Sequence, residues 1–99
     1  MASTIDYRNF ILEQLRDLGN IDCRPMMGEY LLYYKGVLFG GIYDNRLLIK
    51  KTTNNKQFNL PEEIPYDTAK SMYMIEDIDN RDLLKNIVIE TYYDLKKKD

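Results

Sequence analysis

Histidine and tryptophan are absent from these 99 residues, and cysteine occurs once. Each absence closes a line of chemistry. Without histidine there is no Ser–His or Cys–His nucleophile pair, no ordinary general base near neutrality, and none of the common zinc sites. A lone Cys23 cannot close an intrachain disulfide and reads as a small, half-buried core residue. Arg24 beside it is able to lower a thiol pKa, but adjacent strand residues point to opposite faces. No apolar run approaches the roughly 20 residues that span a bilayer, so no membrane contact is expected. No charged start followed by an apolar stretch marks a signal peptide, and a cytoplasmic location is the default expectation. Neither charge dominates: 14 Lys and Arg against 16 Asp and Glu give −2. Direct nucleic-acid binding is therefore not expected from the surface as a whole. Two local basic groups stand out. One is Arg46, Lys50, Lys51 and Lys56. The other, Lys96-Lys97-Lys98, reads as cations complementing the last turn of a helix.

What the chain does have is concentrated in residues 26–51. Three strands are predicted there, over 29–34, 37–43 and 46–51. Lys35-Gly36 and Asp44-Asn45 join them as two-residue turns, because Gly, Asn and Asp tolerate the positive φ of primed hairpins. Counting outward from those turns assigns two faces. One carries Leu31, Tyr33, Leu38, Gly40, Ile42, Leu47 and Ile49 and suits a floor for helices. The other carries Tyr30, Leu32, Tyr34, Val37, Phe39, Gly41, Tyr43, Arg46, Leu48 and Lys50. A solvated face alternates to polar residues, and this second face does not. In the counted register Gly41 lies opposite Tyr30.

Before the meander, Tyr7, Phe10, Ile11, Leu15 and Leu18 recur at helical spacing, predicting a helix over 4–18. Ser3 with Asp6 resembles a capping box, and Gly19-Asn20 ends the helix. Residues 21–27 form a weak strand, placed at a sheet edge by Pro25. After the meander, residues 52–57 suit a short, poor helix. Pro61 and Pro65 make 52–71 the longest irregular stretch, too polar for a good lid. A further strand covers 72–76. A last helix starts at an Asp79 cap, with Leu83, Leu84, Ile87, Val88, Thr91 and Leu95 on its apolar face. Residues 1–99 thus read as one α+β domain, a two-layer sandwich of antiparallel sheet and helices. The order is helix–strands–helix–strands–helix, with helices at both chain ends.

Motifs that carry chemistry are weak. Asp77-Ile78-Asp79 begins like a calcium loop but lacks its glycine, and Val88 stands where the bidentate glutamate belongs. Gly40-Gly41 sits in a strand with no helix after it, unlike a phosphate-binding loop. Glycines there instead permit a bulge or a close approach. No catalytic, metal or cofactor residue is assigned.

Across RPMMGEYLLYYKGVLFGGIYDNRLLIK the sequence resembles the TfoX N-terminal domain family. The matching features are Met27–Tyr30, Leu32-Tyr33, Gly36, Gly40-Gly41 and the strand 46–50. Pro65-Tyr66, Ala69-Lys70, Met72 and the final helix are similar as well, so the resemblance covers nearly the whole chain. It implies a two-layer α+β fold. Better-known members are regulators of natural competence that act as transcriptional coactivators beside a DNA-binding regulator, and they carry a second, C-terminal domain.

Three functions compete. The first is a non-enzymatic regulatory or protein-interaction module, coactivator-like, whose partner is a protein such as a transcription regulator. A homodimer is its other form. The interface expected is the tyrosine face, with Tyr34, Phe39 and Leu48 at the centre and Arg46 and Lys50 on the rim. The second is a small-ligand domain with a site between the Gly40-Gly41 strand and the 52–71 loop, lined by Tyr30, Tyr43 and Tyr66. An enzyme built on carboxylates or Lys70 has the least in its favour.

Overall fold

A computed structural model describes residues 2–97. Helix α1 (Ile5–Gln14) passes through a 3₁₀ turn (Arg16–Leu18) into strands β1 (Ile21–Met26), β2 (Glu29–Tyr34), β3 (Val37–Ile42) and β4 (Leu47–Ile49). A second 3₁₀ turn (Asn54–Phe58), strands β5 (Glu62–Glu63) and β6 (Met72–Ile75), and helix α2 (Arg81–Lys96) follow. The strands form one antiparallel sheet in the order β1-β2-β3-β4-β6-β5. Ile11 of α1, Leu15 at its C-cap, and Leu84, Ile87 and Val88 of α2 share one core with Leu32, Phe39, Ile42, Leu47, Ile49 and Ile75. Both α-helices therefore lie on the same face of the sheet.

The hairpin turns follow the chemistry of their residues. Lys35-Gly36 and Asp44-Asn45 both have positive φ throughout, as a primed turn requires. Tyr43 and Arg46 exchange two backbone hydrogen bonds, at 2.9 and 3.0 Å, which closes the second turn as a two-residue loop. A third such turn, Met27-Gly28, joins β1 to β2, so Met27 belongs to a turn and not to the strand.

The counted register needs correction in β3. Tyr33 pairs with Leu38, but Leu32 pairs with Gly40, so Phe39 is an extra residue at a bulge. Gly41 consequently lies opposite Leu31 and not Tyr30. Beyond the bulge every side chain changes side. Phe39 joins Leu32 and Tyr34 under the helices. Tyr43 and Leu48 pass to the opposite face, by alternation from Ile42, Leu47 and Ile49. Neither face matches the set that counting gives.

Three end assignments shift as well. The cap of α1 is Thr4, whose hydroxyl accepts from the Tyr7 N–H at 3.1 Å. Ser3 instead donates its hydroxyl to Glu29 at 2.6 Å and accepts from the Asn45 N–H, fastening the chain start to two turns. The cap of α2 is Asn80, one residue after Asp79. The expected middle helix is only the 3₁₀ turn. Its Asn55 is fully buried and bonds the backbone of Lys50 and Thr52 and the Thr91 hydroxyl. That local bonding competes with helical bonding. The 52–71 stretch also contains β5, which sequence patterning misses because two glutamates carry no strand signal.

A side chain at Gly41 meets the Tyr30 carbonyl oxygen at 2.6 Å and the Tyr43 ring at 2.7 Å. Gly41→Val is therefore expected to cost about 1–3 kcal/mol in a denaturant titration, the range for overpacking a core. A loss below about 0.5 kcal/mol, typical of a neutral surface change, would contradict this packing.

Candidate functional site

The face away from the helices carries Leu31, Tyr33, Leu38, Gly41, Tyr43, Leu48 and Met74, placed by strand alternation. Part of it is covered by the chain itself. Residues 64–71, between β5 and β6, fold back over β4 as a flap with Pro65 buried. Arg46 holds the flap down. Its guanidinium donates to the Tyr43 carbonyl at 3.1 Å, to Glu63 Oε1 at 3.1 Å, and to the Ile64 and Pro65 carbonyls at 3.3 and 3.4 Å. The planar fork of arginine suits such divergent acceptors. At the flap's other end, Lys51 Nζ donates to Glu62 at 2.8 Å and to the Ser71 hydroxyl at 2.8 Å. The expectation that this stretch is too polar for a lid is thus corrected. Two cations bond the Ile64 and Pro65 carbonyls and the Ser71 hydroxyl, which lets Pro65 pack inward.

Two clefts border the flap. The larger, about 690 Å³, lies among Tyr43, Lys50, Lys51, Pro65, Tyr66, Lys70 and Met72. The smaller, about 560 Å³, is lined by Ala2, Met26, Met27, Glu29, Tyr43 and Tyr66. Tyr43 and Tyr66 border both, with ring centroids 6.1 Å apart at 51°. Burial pushes the Tyr43 phenol above its ordinary pKa, with the neighbouring Tyr66 adding to the effect.

The residues expected at sites divide as follows. Tyr34, Phe39 and Leu48 are buried, Phe39 and Leu48 completely, so they form no exposed interface centre. They do not even share a face, because the bulge separates Leu48 from the other two. Arg46 is the flap's clamp and not a rim charge, while Lys50 is half-buried beside the larger cleft. Of the three tyrosines, Tyr43 and Tyr66 come together. Tyr30 packs against the helix-side core, with the Arg8 guanidinium over its ring at 5.3 Å. Cys23 is half-buried on that same side, and desolvation raises its pKa despite Arg8 nearby. Of the lysine run, Lys96 sits over the Tyr92 and Tyr93 rings. Lys98 lies outside the described residues. The sequence does not single out Met27 as a site residue, yet it is 97% exposed. A glycine directly after it was the available turn signal.

Among the described residues no three His, Cys, Asp or Glu side chains gather to hold a metal ion. No described helix is long and apolar enough to cross a membrane.

A family model described as the TfoX N-terminal domain matches residues 13–95. The chain belongs to the TfoX N-terminal domain family. It is also similar to an uncharacterized 12.7 kDa protein in the trpE 5′ region of Spirochaeta aurantia. The two are 32% identical over 80 residues, covering 79% of this chain and 70% of that protein. The TfoX N-terminal domain is associated with competence regulation, and its family is regulatory and non-catalytic. The TfoX match takes in all six strands, the flap and every residue named at the two clefts except Ala2.

The base of the flap has a pH signature. The hydrogen bonds from Lys51 and Ser71 hold the Glu62 carboxyl below its ordinary pKa. A depressed folded pKa stabilises above the ordinary carboxylate value and is lost as pH falls through the folded one. In a carbon-detected NMR titration, the Glu62 midpoint should rise in Lys51→Met relative to wild type. An unchanged midpoint would show that the contact does not persist in solution.

Proposed function

We propose that this TfoX N-terminal domain is a non-enzymatic regulatory module that docks a protein partner on the flap side of the sheet. The observation that carries the reading is the pairing of a nearly fully exposed Met27 with a 57% exposed Tyr66 on one cleft. Ile64, also exposed, is two residues from Tyr66. Large apolar side chains left in water cost free energy that burial against a partner recovers. Methionine and tyrosine are enriched where proteins meet, because one adapts its shape and the other combines a flat body with a polar tip. The partner we propose is a transcription regulator, in keeping with the family's association with competence regulation. A second copy of the chain is the competing occupant.

The test is affinity capture with wild type and with Met27→Asp/Tyr66→Ala, paired with sedimentation of both. Both positions are exposed, so the variant should melt within a few degrees of wild type. A partner held by wild type should be lost by the variant, with a penalty of about 2 kcal/mol or more for a central aromatic contact. Equal retention by both would exclude this surface. A concentration-dependent dimer in wild type, dissociated in the variant, would make the second copy the occupant.

A second reading, a small-ligand domain, is supported by the larger cleft. Its volume falls within the roughly 300–1,000 Å³ common for ligand sites, and Tyr43 and Tyr66 border it.

A further inference from the structure

We propose that the larger cleft, between the flap and the sheet, binds a small organic anion with a planar apolar body. The proposal rests on the second reading above, a ligand held in this cleft, and adds the ligand's chemical class.

Charge is the first argument. Across the whole chain acids outnumber bases, 16 to 14. The cleft reverses this balance: three lysines line it, Lys50, Lys51 and Lys70, and no carboxylate does. Lys51 is already neutralised by Glu62 at 2.8 Å. Among the described residues, Lys50 and Lys70 take part in no ion pair. Two lysines without an ion-pair partner in the lining of one concavity favour a negative group there, and low-dielectric walls strengthen that attraction.

The walls supply the second argument. The same lining includes the buried Pro65, the half-buried Met72, the Tyr43 and Tyr66 rings, and Leu95 of α2. The two tyrosine rings, 6.1 Å apart at 51°, put aromatic surface in the lining, which suits a flat guest. A bare inorganic anion uses the lysines and leaves this apolar surface wet. An uncharged aromatic uses the surface and leaves the lysines unpaired. An anion attached to a planar body satisfies both. Lysine is a point charge without the fork of arginine, so carboxylate, phosphate and sulfonate are all accommodated.

The test uses two dyes with the same rings. 1-Anilinonaphthalene-8-sulfonate carries a sulfonate, and N-phenyl-1-naphthylamine lacks it. Fluorescence titration of the full chain should show one saturable site for the sulfonate dye, at least several-fold tighter than for the neutral dye and weakened by salt. Lys50→Gln/Lys70→Gln should lose about tenfold in affinity for the sulfonate dye, which is about 1.4 kcal/mol, and keep its affinity for the neutral one. Lys50→Arg/Lys70→Arg, with charge restored, should bind the sulfonate dye like wild type. Amide shifts on saturation should centre on Tyr43, Tyr66 and residues 69–72. Equal affinity for both dyes would overturn the anion proposal and leave a cleft for neutral ligands. Sulfonate-dye binding unchanged in the Gln variant, or shifts centred elsewhere, would overturn it as well. Failure of both dyes to bind would overturn the proposal and the ligand reading beneath it. None of these outcomes bears on capture of a protein partner.

Discussion

Opposite Leu32, strand β3 places two residues, Phe39 and Gly40, where a regular ladder has one. Glycine makes this feasible. A Cβ at Gly40 would collide with the Leu48 carbonyl oxygen and sit 3.0 Å from the Ile49 Cα, both of them backbone atoms of the neighbouring strand. The bulge reverses the facing of all that follows in β3 and, through pairing, in β4. Phe39 turns in under α1 and α2, while Tyr43, Arg46, Leu48 and Lys50 turn out to the other side. The flap, its Arg46 clamp and both clefts are built on that outward row. Without the extra residue, Tyr43 would share the face of Phe39 and lie beneath the helices.

Much of the fold is legible in the amino-acid sequence because its signals are local. Helical spacing in Ile11 and Leu15, and again in Leu84, Ile87 and Val88, marks the two helices that pack on the sheet. Lys35-Gly36 and Asp44-Asn45 announce their turns through the positive φ they accept. Pro25 confines β1 to an edge, where it is found. The bulge is different. Its glycine is visible, but which residue opposes which depends on contacts with β4, far along the chain. One residue of slip then moves Leu48 from the face of Tyr34 to the other. That is why the expected interface of Tyr34, Phe39 and Leu48 dissolves, although each of the three is an apolar residue in a strand.

The flap was illegible for another reason. Residues 64–71 and the short β5 before them look like solvated loop by composition, and their order comes from charges supplied elsewhere. Arg46 reaches across from the β3–β4 turn, and Lys51 from the end of β4, to bind Glu63 and Glu62. Neither pair is deeply buried, and the more exposed one, Lys51 with Glu62, contributes little alone. Their effect is geometric: they fix the start of the flap, the bond from Lys51 to the Ser71 hydroxyl fixes its end, and Pro65 and Tyr66 between them come to lie beside Tyr43. The start of the chain is fastened in the same manner. The Glu29 carboxylate accepts from Ser3 and from the Asp44 N–H, which brings Ala2 to the wall of the smaller cleft. Polar tethers thus position a surface whose recognition elements are apolar.

The bulge, the outward row and both clefts depend on the side of the sheet that Tyr43 occupies. Nuclear Overhauser contacts from the Tyr43 ring decide it directly. Its ring carbons lie 2.7 and 3.1 Å from the point where a Gly41 Cβ would sit. The Tyr43 ring protons should therefore show strong contacts to the Gly41 α-protons and to Tyr66. One Gly41 α-proton should also move to high field. Contacts from Tyr43 to Ile11, Leu84 or Val88 would place it under the helices. The bulge, the outward row and the clefts would then be wrong together.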